Sequence, residues 1–138
     1  MPSIGFKNAK KLGILKYFPE LKELIGVPQD PKWHPEGDVW THTLMVLDEA
    51  AKLRTGIEKK DMVLMFGALC HDFGKPLTTK LLRGRWRSPS HDTYGITPTI
   101  HFLQRLTEDR DLIKQVTSMV KEHLRPIQLF NERDRINT

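Results

Sequence analysis

The feature that most constrains the fold is an unbroken apolar stretch near the middle of the chain. Residues 62–70 read Met-Val-Leu-Met-Phe-Gly-Ala-Leu-Cys, and His71 and Asp72 follow at once. A helix over this stretch, beginning at Asp61, is apolar on every side, so we expect it at the centre of a domain. The stretch is too short to span a membrane, which requires about 18 residues. It therefore predicts a buried helix that ends in two polar side chains.

Helical patterns surround this segment, and long strand-type alternation is absent. The other predicted helices are 3–17, capped by Ser3 with Ile4, Leu12 and Leu15 in the core; a short turn over 20–25; 38–54, capped by Asp38; 98–106; and 109–124, opened by Asp109 or Asp111. Residues 26–37 hold three Pro and two Gly and are predicted to be irregular. The sequence thus predicts one all-α domain over 1–138, with five to six helices, a short loop or hairpin at 78–90 and a frayed polar tail at 127–138.

Composition limits the environment of this domain. The chain has 138 residues, a formal net charge of +5 and one cysteine. A single cysteine excludes an internal disulfide, and Cys70 is expected to be a core residue. No signal-peptide pattern is present at the N-terminus, so a cytoplasmic location without membrane association is expected. The modest positive charge is compatible with a phosphate-bearing partner.

Polar residues interrupt the predicted core at helix ends. They are His42, the pair His71 and Asp72, His91, and His123. Buried imidazole and carboxylate groups are costly unless they are paired, hydrogen-bonded or bound to a metal ion. Taken singly, each histidine is more simply explained as a hydrogen-bonded core or surface residue; taken together, the set favours a site for a divalent metal such as Mn, Fe, Ni, Co or Zn.

Several segments carry a resemblance to a known family. The order His42, then His71 and Asp72, resembles the HD superfamily of metal-dependent phosphohydrolases. The similarity is greatest to the HD domain of bacterial tRNA nucleotidyltransferases, the CCA-adding enzymes. It is carried by PSIGF (2–6), YFPEL (17–21), GVPQDPKWHPEGDVWTHTLMVLDEAAKL (26–53), ALCHDFGKP (68–76), RWRSPSHD (85–92) and VKEHLRP (120–126).

The resemblance implies an HD-type helical domain that holds one or two divalent metal ions, with Mg added to the candidate metals. Its implied central ligands are His42, His71 and Asp72, while His91 and His123 serve a second metal or the substrate phosphate. Asp72 and Lys75 are the implied catalytic residues. Lys75 and Arg125 are candidate phosphate contacts, and His34 and Glu36 are candidates for substrate contact or support of the ligands.

The resemblance implies a phosphomonoesterase or phosphodiesterase that acts on nucleotides or RNA 3′ ends. The sequence also departs from the family in two respects. No counterpart of the nucleotidyltransferase head is present. The only candidate for the family's later Asp ligand is Asp134, which lies in the polar tail after Pro126. These departures keep open an alternative, a non-catalytic module that interacts with tRNA.

The segment from Phe73 to His91 contains five basic residues and no acidic one. Two interpretations of its Arg85-Trp86-Arg87 motif remain open. The indole of Trp86 could stack on a base of a nucleotide or an RNA end beside the metal site. Alternatively, the motif is an amphipathic hairpin whose tryptophan packs on the domain.

Overall fold

A computed structural model describes residues 1–123 of the chain. The elements in chain order are α1 (Pro2–Lys11), a 3-10 turn (Ile14–Tyr17), α2 (Pro19–Lys22), α3 (Val39–Ala51), α4 (Glu58–Cys70), α5 (Lys75–Thr78), β1 (Lys80–Leu82), β2 (Arg85–Arg87), α6 (His91–Tyr94), α7 (Ile96–Gln104) and α8 (Arg110–Glu122). Five of these helices have nine residues or more, and α2, α5 and α6 are single turns. The predicted all-α class with a small hairpin is confirmed.

The long helices pack in layers around α4. Helix α4 packs against both α3 and α8, α1 packs on α3, and α7 packs on α8. Only the last turn of α4, Gly67–Cys70, is buried, whereas Met62 is 38% exposed. The prediction of a central helix therefore holds for the end of α4 that carries His71 and Asp72. None of the helices between residues 1 and 123 is both long and apolar enough to cross a membrane.

The start of the chain differs from the prediction. Pro2, not Ser3, begins α1, and the Ser3 amide donates to Asp48 Oδ1 at 2.9 Å, which fixes α1 on α3. The helix ends at Lys11 because Gly13 adopts a left-handed conformation with φ of 75°. Leu15 is buried as predicted, but Ile4 and Leu12 are 57% and 74% exposed. These two leave the predicted core because α1 faces α3 with a different side.

Aspartate carboxylates hold the chain at the start of α3 and in the loop before α4. Asp38 caps α3 as predicted, accepting from the Thr41 amide at 2.9 Å, and it also accepts from the Gly26 amide at 2.7 Å. The prediction that Asp61 begins α4 is wrong, because α4 begins at Glu58. The Asp61 carboxylate instead accepts from the amides of Thr55 and Gly56 and closes the loop before the helix.

Two glycines shape the region around the ligand residues. The hairpin turns at Arg83 and Gly84, as predicted, with positive φ of 50° and 74° at the two positions. Gly74 follows the His71–Asp72 pair and lies against α6, where a Cβ atom would meet the His91 carbonyl oxygen at 1.9 Å. Only glycine allows this approach. It brings the end of α4 next to the start of α6.

Candidate metal centre

The Asp72 carboxylate lies at the centre of a cluster of four imidazoles. Asp72 is 2% exposed. Its Oδ2 lies 3.1 Å from His71 Nε2 and 3.7 Å from His42 Nε2. Its Oδ1 lies 3.3 Å from His91 Nε2 and 3.8 Å from His123 Nε2. Four histidines from four separate helices or helix ends therefore direct the same ring nitrogen toward one buried carboxylate.

Backbone carbonyls fix the orientation of three of these rings. His71 Nδ1 donates to the Ala68 carbonyl at 2.6 Å, His91 Nδ1 to the Ser88 carbonyl at 2.9 Å, and His123 Nδ1 to the Val120 carbonyl at 2.5 Å. A carbonyl oxygen accepts hydrogen bonds and cannot donate them, so each Nδ1 carries the proton. In the neutral ring, Nε2 is then left with a free lone pair that faces Asp72.

A carboxylate orients the fourth ring. His42 Nδ1 donates to Glu36 Oε1 at 2.6 Å, and His34 Nδ1 lies 3.2 Å from the same oxygen. Burial would raise the pKa of Glu36, but hydrogen bonds from its own backbone, His42 and His34 lower that pKa, so the carboxylate is ionised. A carboxylate behind a histidine is the arrangement that commonly supports metal-ligating imidazole. Glu36 and His34 therefore lie behind His42.

With all four rings neutral, several hydrogen-bond acceptors of this cluster face one another. His91 Nε2 and His123 Nε2 are 3.0 Å apart, so in two neutral rings their lone pairs would face each other. Asp72 Oδ2 is buried and has no hydrogen-bond partner of good geometry among the described residues. A proton or a metal ion between two such acceptor atoms would remove the repulsion between their lone pairs. Imidazole nitrogens and a carboxylate suit divalent transition metals, so the residues fit a metal site.

The ligand atoms form two overlapping groups that could each hold one ion. In the first group, His42, His71 and Asp72 have ligand atoms within 4.8 Å of one another, and the second group joins Asp72, His91 and His123 in the same way. Asp72 belongs to both. A third group, His34, Glu36 and His42, satisfies the same distance, but its short contacts are the hydrogen bonds that orient His42.

The pKa values of these groups follow from burial and from Asp72. Burial would raise the pKa of Asp72, but the charges of His71 and Lys75 and the nearby His91 ring hold that pKa well below its usual value. Burial lowers the pKa of His42 and of His123. For His71, burial acts in the same direction, but the Asp72 charge outweighs it and raises the pKa. Without a metal, His71 therefore holds a proton more firmly than His42 or His123 does.

Lys75 places a positive charge beside the cluster. The residue is 8% exposed, and its Nζ lies 3.1 Å from Asp72 Oδ2 and donates to Gln29 Oε1 at 2.8 Å. Lys75 is therefore a buried lysine and not a solvated surface one. The positive charge of its ammonium group offsets the negative charge of the Asp72 carboxylate. Lys75 lies on the side of the cluster that opens into a groove, which His34 and His91 also line.

Most of the chain matches a known protein family. The family model described as "HD domain" matches residues 39–136, which include every histidine of the cluster and Asp72. The chain belongs to the HD domain family. This HD domain is thereby a member of a superfamily of metal-dependent phosphohydrolases, and the helical class and the resemblance drawn from the sequence are confirmed.

Curated relatives carry the same region within longer proteins. The chain is 43% identical over 107 residues to a Multifunctional CCA protein of Xylella fastidiosa (strain 9a5c), covering 77% of this chain and 24% of that protein. It is 36% identical over 129 residues to a Multifunctional CCA protein of Acinetobacter baumannii (strain SDF), covering 93% of this chain and 30% of that protein. The chain thus spans about a quarter to a third of these relatives. No solved structure matches it.

The structure brings together most of the residues that the sequence singled out. All five predicted metal ligands lie in one cluster, with Lys75, Glu36 and His34 beside them. Arg125 and Asp134 lie outside the described residues, as does the predicted tail. Sequence reasoning missed the residues that orient the rings and hold Lys75, namely Gln29 and the carbonyls of Ala68, Ser88 and Val120. No signal could have found those carbonyls, because every residue offers one.

Proposed function

We propose that this HD domain is a metal-dependent phosphohydrolase that acts on phosphomonoesters or phosphodiesters of nucleotides or RNA ends. The observation that carries the proposal is the convergence of four imidazole Nε2 atoms on the buried Asp72 carboxylate. The hydrogen bonds on the Nδ1 atoms preset all four rings for coordination. Membership of the HD family supports the reaction class.

The proposed ligand set is His42, His71 and Asp72 for one divalent ion, with Asp72, His91 and His123 for a second. Mn, Fe, Ni, Co, Zn and Mg are all candidates. A divalent ion held there supplies positive charge that polarises a phosphoryl oxygen and lowers the pKa of a coordinated water.

The other residues position the ligands and the substrate. Glu36 keeps the Nδ1 proton on His42 so that Nε2 faces the ion, as the carbonyl partners do for the other rings. Lys75 is held by Gln29 and Asp72, and we assign it to the phosphate oxygens that approach from the groove. His34 lies on the same groove and is assigned to substrate contact. Arg125 remains a candidate phosphate contact.

The names of the relatives support a nucleic-acid substrate. Both relatives described above are Multifunctional CCA proteins, and this chain is similar to one segment of each. We therefore propose an RNA end, including that of tRNA, or a free nucleotide as the phosphate-bearing partner.

The experiment is turnover of a chromogenic phosphodiester and phosphomonoester with Mn, Ni, Co or Mg added to chelator-treated protein. We expect turnover with at least one metal, and its loss in His71→Ala. His101→Ala is the matched control, since His101 is exposed on α7 and belongs to none of the candidate metal groups. If no metal gives turnover while tRNA is bound, the hydrolase proposal fails and the non-catalytic module is favoured.

A further inference from the structure

A groove with two tryptophans opens beside the metal centre. It has a volume of about 250 Å³, near the lower end of the range of about 300–1,000 Å³ typical of small-molecule sites. Its walls include Trp33, Arg85, Trp86 and Arg87, and it also includes Lys75 and His91. We call it the tryptophan groove. Since Lys75 and His91 both contact Asp72, the groove leads to the proposed metal site.

The two tryptophans present indole surface that the fold does not need for its core. Trp33 is 69% exposed and Trp86 is 38% exposed, whereas the third tryptophan, Trp40, is 5% exposed in the core. Trp86 is therefore not a core residue, and part of its indole surface stays free at the groove. Exposed aromatic rings beside a phosphate site are suited to stacking on nucleobases.

Unpaired cations flank these rings. The side chains of Arg85 and Arg87 are exposed and make no ion pair or hydrogen bond within the part of the chain that is described. Lys32 Nζ lies 5.2 Å from the centre of the Trp33 ring and adds a third charge near that wall. The acidic residue of the groove is Asp30, and its Oδ1 accepts from the Lys32 amide at 3.0 Å. The net charge of the groove remains positive, which favours an anionic ligand.

Both walls of the groove are connected to the ligand residues. On the hairpin side, Ser88 directly follows Arg87, and the Ser88 carbonyl holds the His91 ring. Ser88 Oγ also lies 2.6 Å from Thr79 Oγ1, which closes the base of the hairpin. On the other side, His34 follows Trp33 and contacts Glu36, which holds His42. A ligand seated between these walls would therefore have its attached phosphate near the cluster.

We propose that the tryptophan groove binds the nucleobase next to the phosphate that reaches the metal centre, with Trp33 and Trp86 as stacking surfaces and Arg85 and Arg87 on neighbouring phosphates. The proposal rests on the proposed function for the position of the scissile phosphate. It adds a binding site for the base of that substrate, whether the nucleoside phosphate is free or at the end of an RNA. A simple sugar phosphate carries no aromatic base to stack on these surfaces.

The test is calorimetric binding to metal-loaded protein of two non-hydrolysable probes, the 5′-phosphonate analogues of adenosine 5′-phosphate and of ribose 5-phosphate. We expect the adenosine probe to bind at least about fivefold more tightly, because stacking on an aromatic side chain contributes that much or more per base. Trp86→Ala should remove most of this preference, and Trp33→Ala should reduce it. Leu81→Ala is the matched control, since Leu81 pairs with Trp86 across the hairpin, is 58% exposed and does not line the groove.

A single-stranded RNA hexamer distinguishes the two sources of the base. Stronger binding of the hexamer than of the adenosine probe, reduced in Arg85→Ala, identifies an RNA end, whereas equal binding identifies a free nucleotide. The proposal is overturned if the adenosine and ribose probes bind equally, or if the preference survives in both tryptophan variants. Because these probes require no turnover, a preference for adenosine without hydrolysis would refute the proposed function alone.

Discussion

Replacement of Gly74 by alanine tests how tightly the metal site depends on the backbone behind it. A Cβ atom at this position would lie 1.9 Å from the His91 carbonyl oxygen and 2.7 Å from the Gly95 amide nitrogen. Both are backbone atoms, so no side chain can rotate away. Restoring ordinary contact requires the end of α4 and the start of α6 to separate by roughly 1.5 Å. Metal–ligand distances tolerate about 0.2 Å, so His91 would leave the site.

The expected cost of Gly74→Ala is about 1–3 kcal/mol of unfolding free energy, the usual range for overpacking. For a chain of this size, each kcal/mol lowers Tm by about 2–4 °C, so we expect a loss of about 2–12 °C by calorimetry in chelator. Metal affinity should fall in addition. Gly5→Ala is the control: Gly5 lies in α1 with nothing within 4 Å of its would-be Cβ, and alanine there should stabilise by about 0.5–1 kcal/mol. Unchanged Tm and metal affinity in Gly74→Ala would refute the reasoning.

Three further predictions concern the cluster itself. Glu36→Gln should weaken metal affinity about 10- to 100-fold in a chelator competition, because the carboxylate that supports His42 is lost; unchanged affinity would remove Glu36 from that role. His123→Ala should lower metal stoichiometry or activity. If the variant matches the wild type in both measurements, His123 is not a metal ligand. Metal affinity should fall as pH is lowered through the raised pKa of His71, above its ordinary 6.5, because metal must displace that proton. A titration showing no dependence between about pH 6 and 8 would contradict this.

The ligand set could be predicted from the sequence because its residues violate the local pattern. His71 and Asp72 interrupt an apolar helix, and a buried pair of this kind requires a partner. The hairpin was predictable for a similar reason, since Arg83 and Gly84 separate two short strands with a turn of positive φ. Such signals are local in the chain.

Features that depend on long-range packing could not be predicted in the same way. Ser3 is a good N-cap by type, but its amide is taken by Asp48, 45 residues away. The early end of α1 is different, because Gly13 is a local helix-termination signal that the sequence itself carries. The place of Trp33 opposite the hairpin follows only from how the loop 26–37 folds back, since its local sequence is irregular.

The central claim is that the buried His–Asp cluster is a divalent metal centre. The most direct measurement is the metal content, by elemental analysis, of wild-type protein and of Asp72→Asn after chelator treatment, reloading and gel filtration. Asparagine keeps the size of the side chain and removes the anionic oxygen shared by both ligand groups. The account predicts one or two ions per chain in the wild type and none in a folded Asp72→Asn. Equal metal content in the two proteins would contradict it.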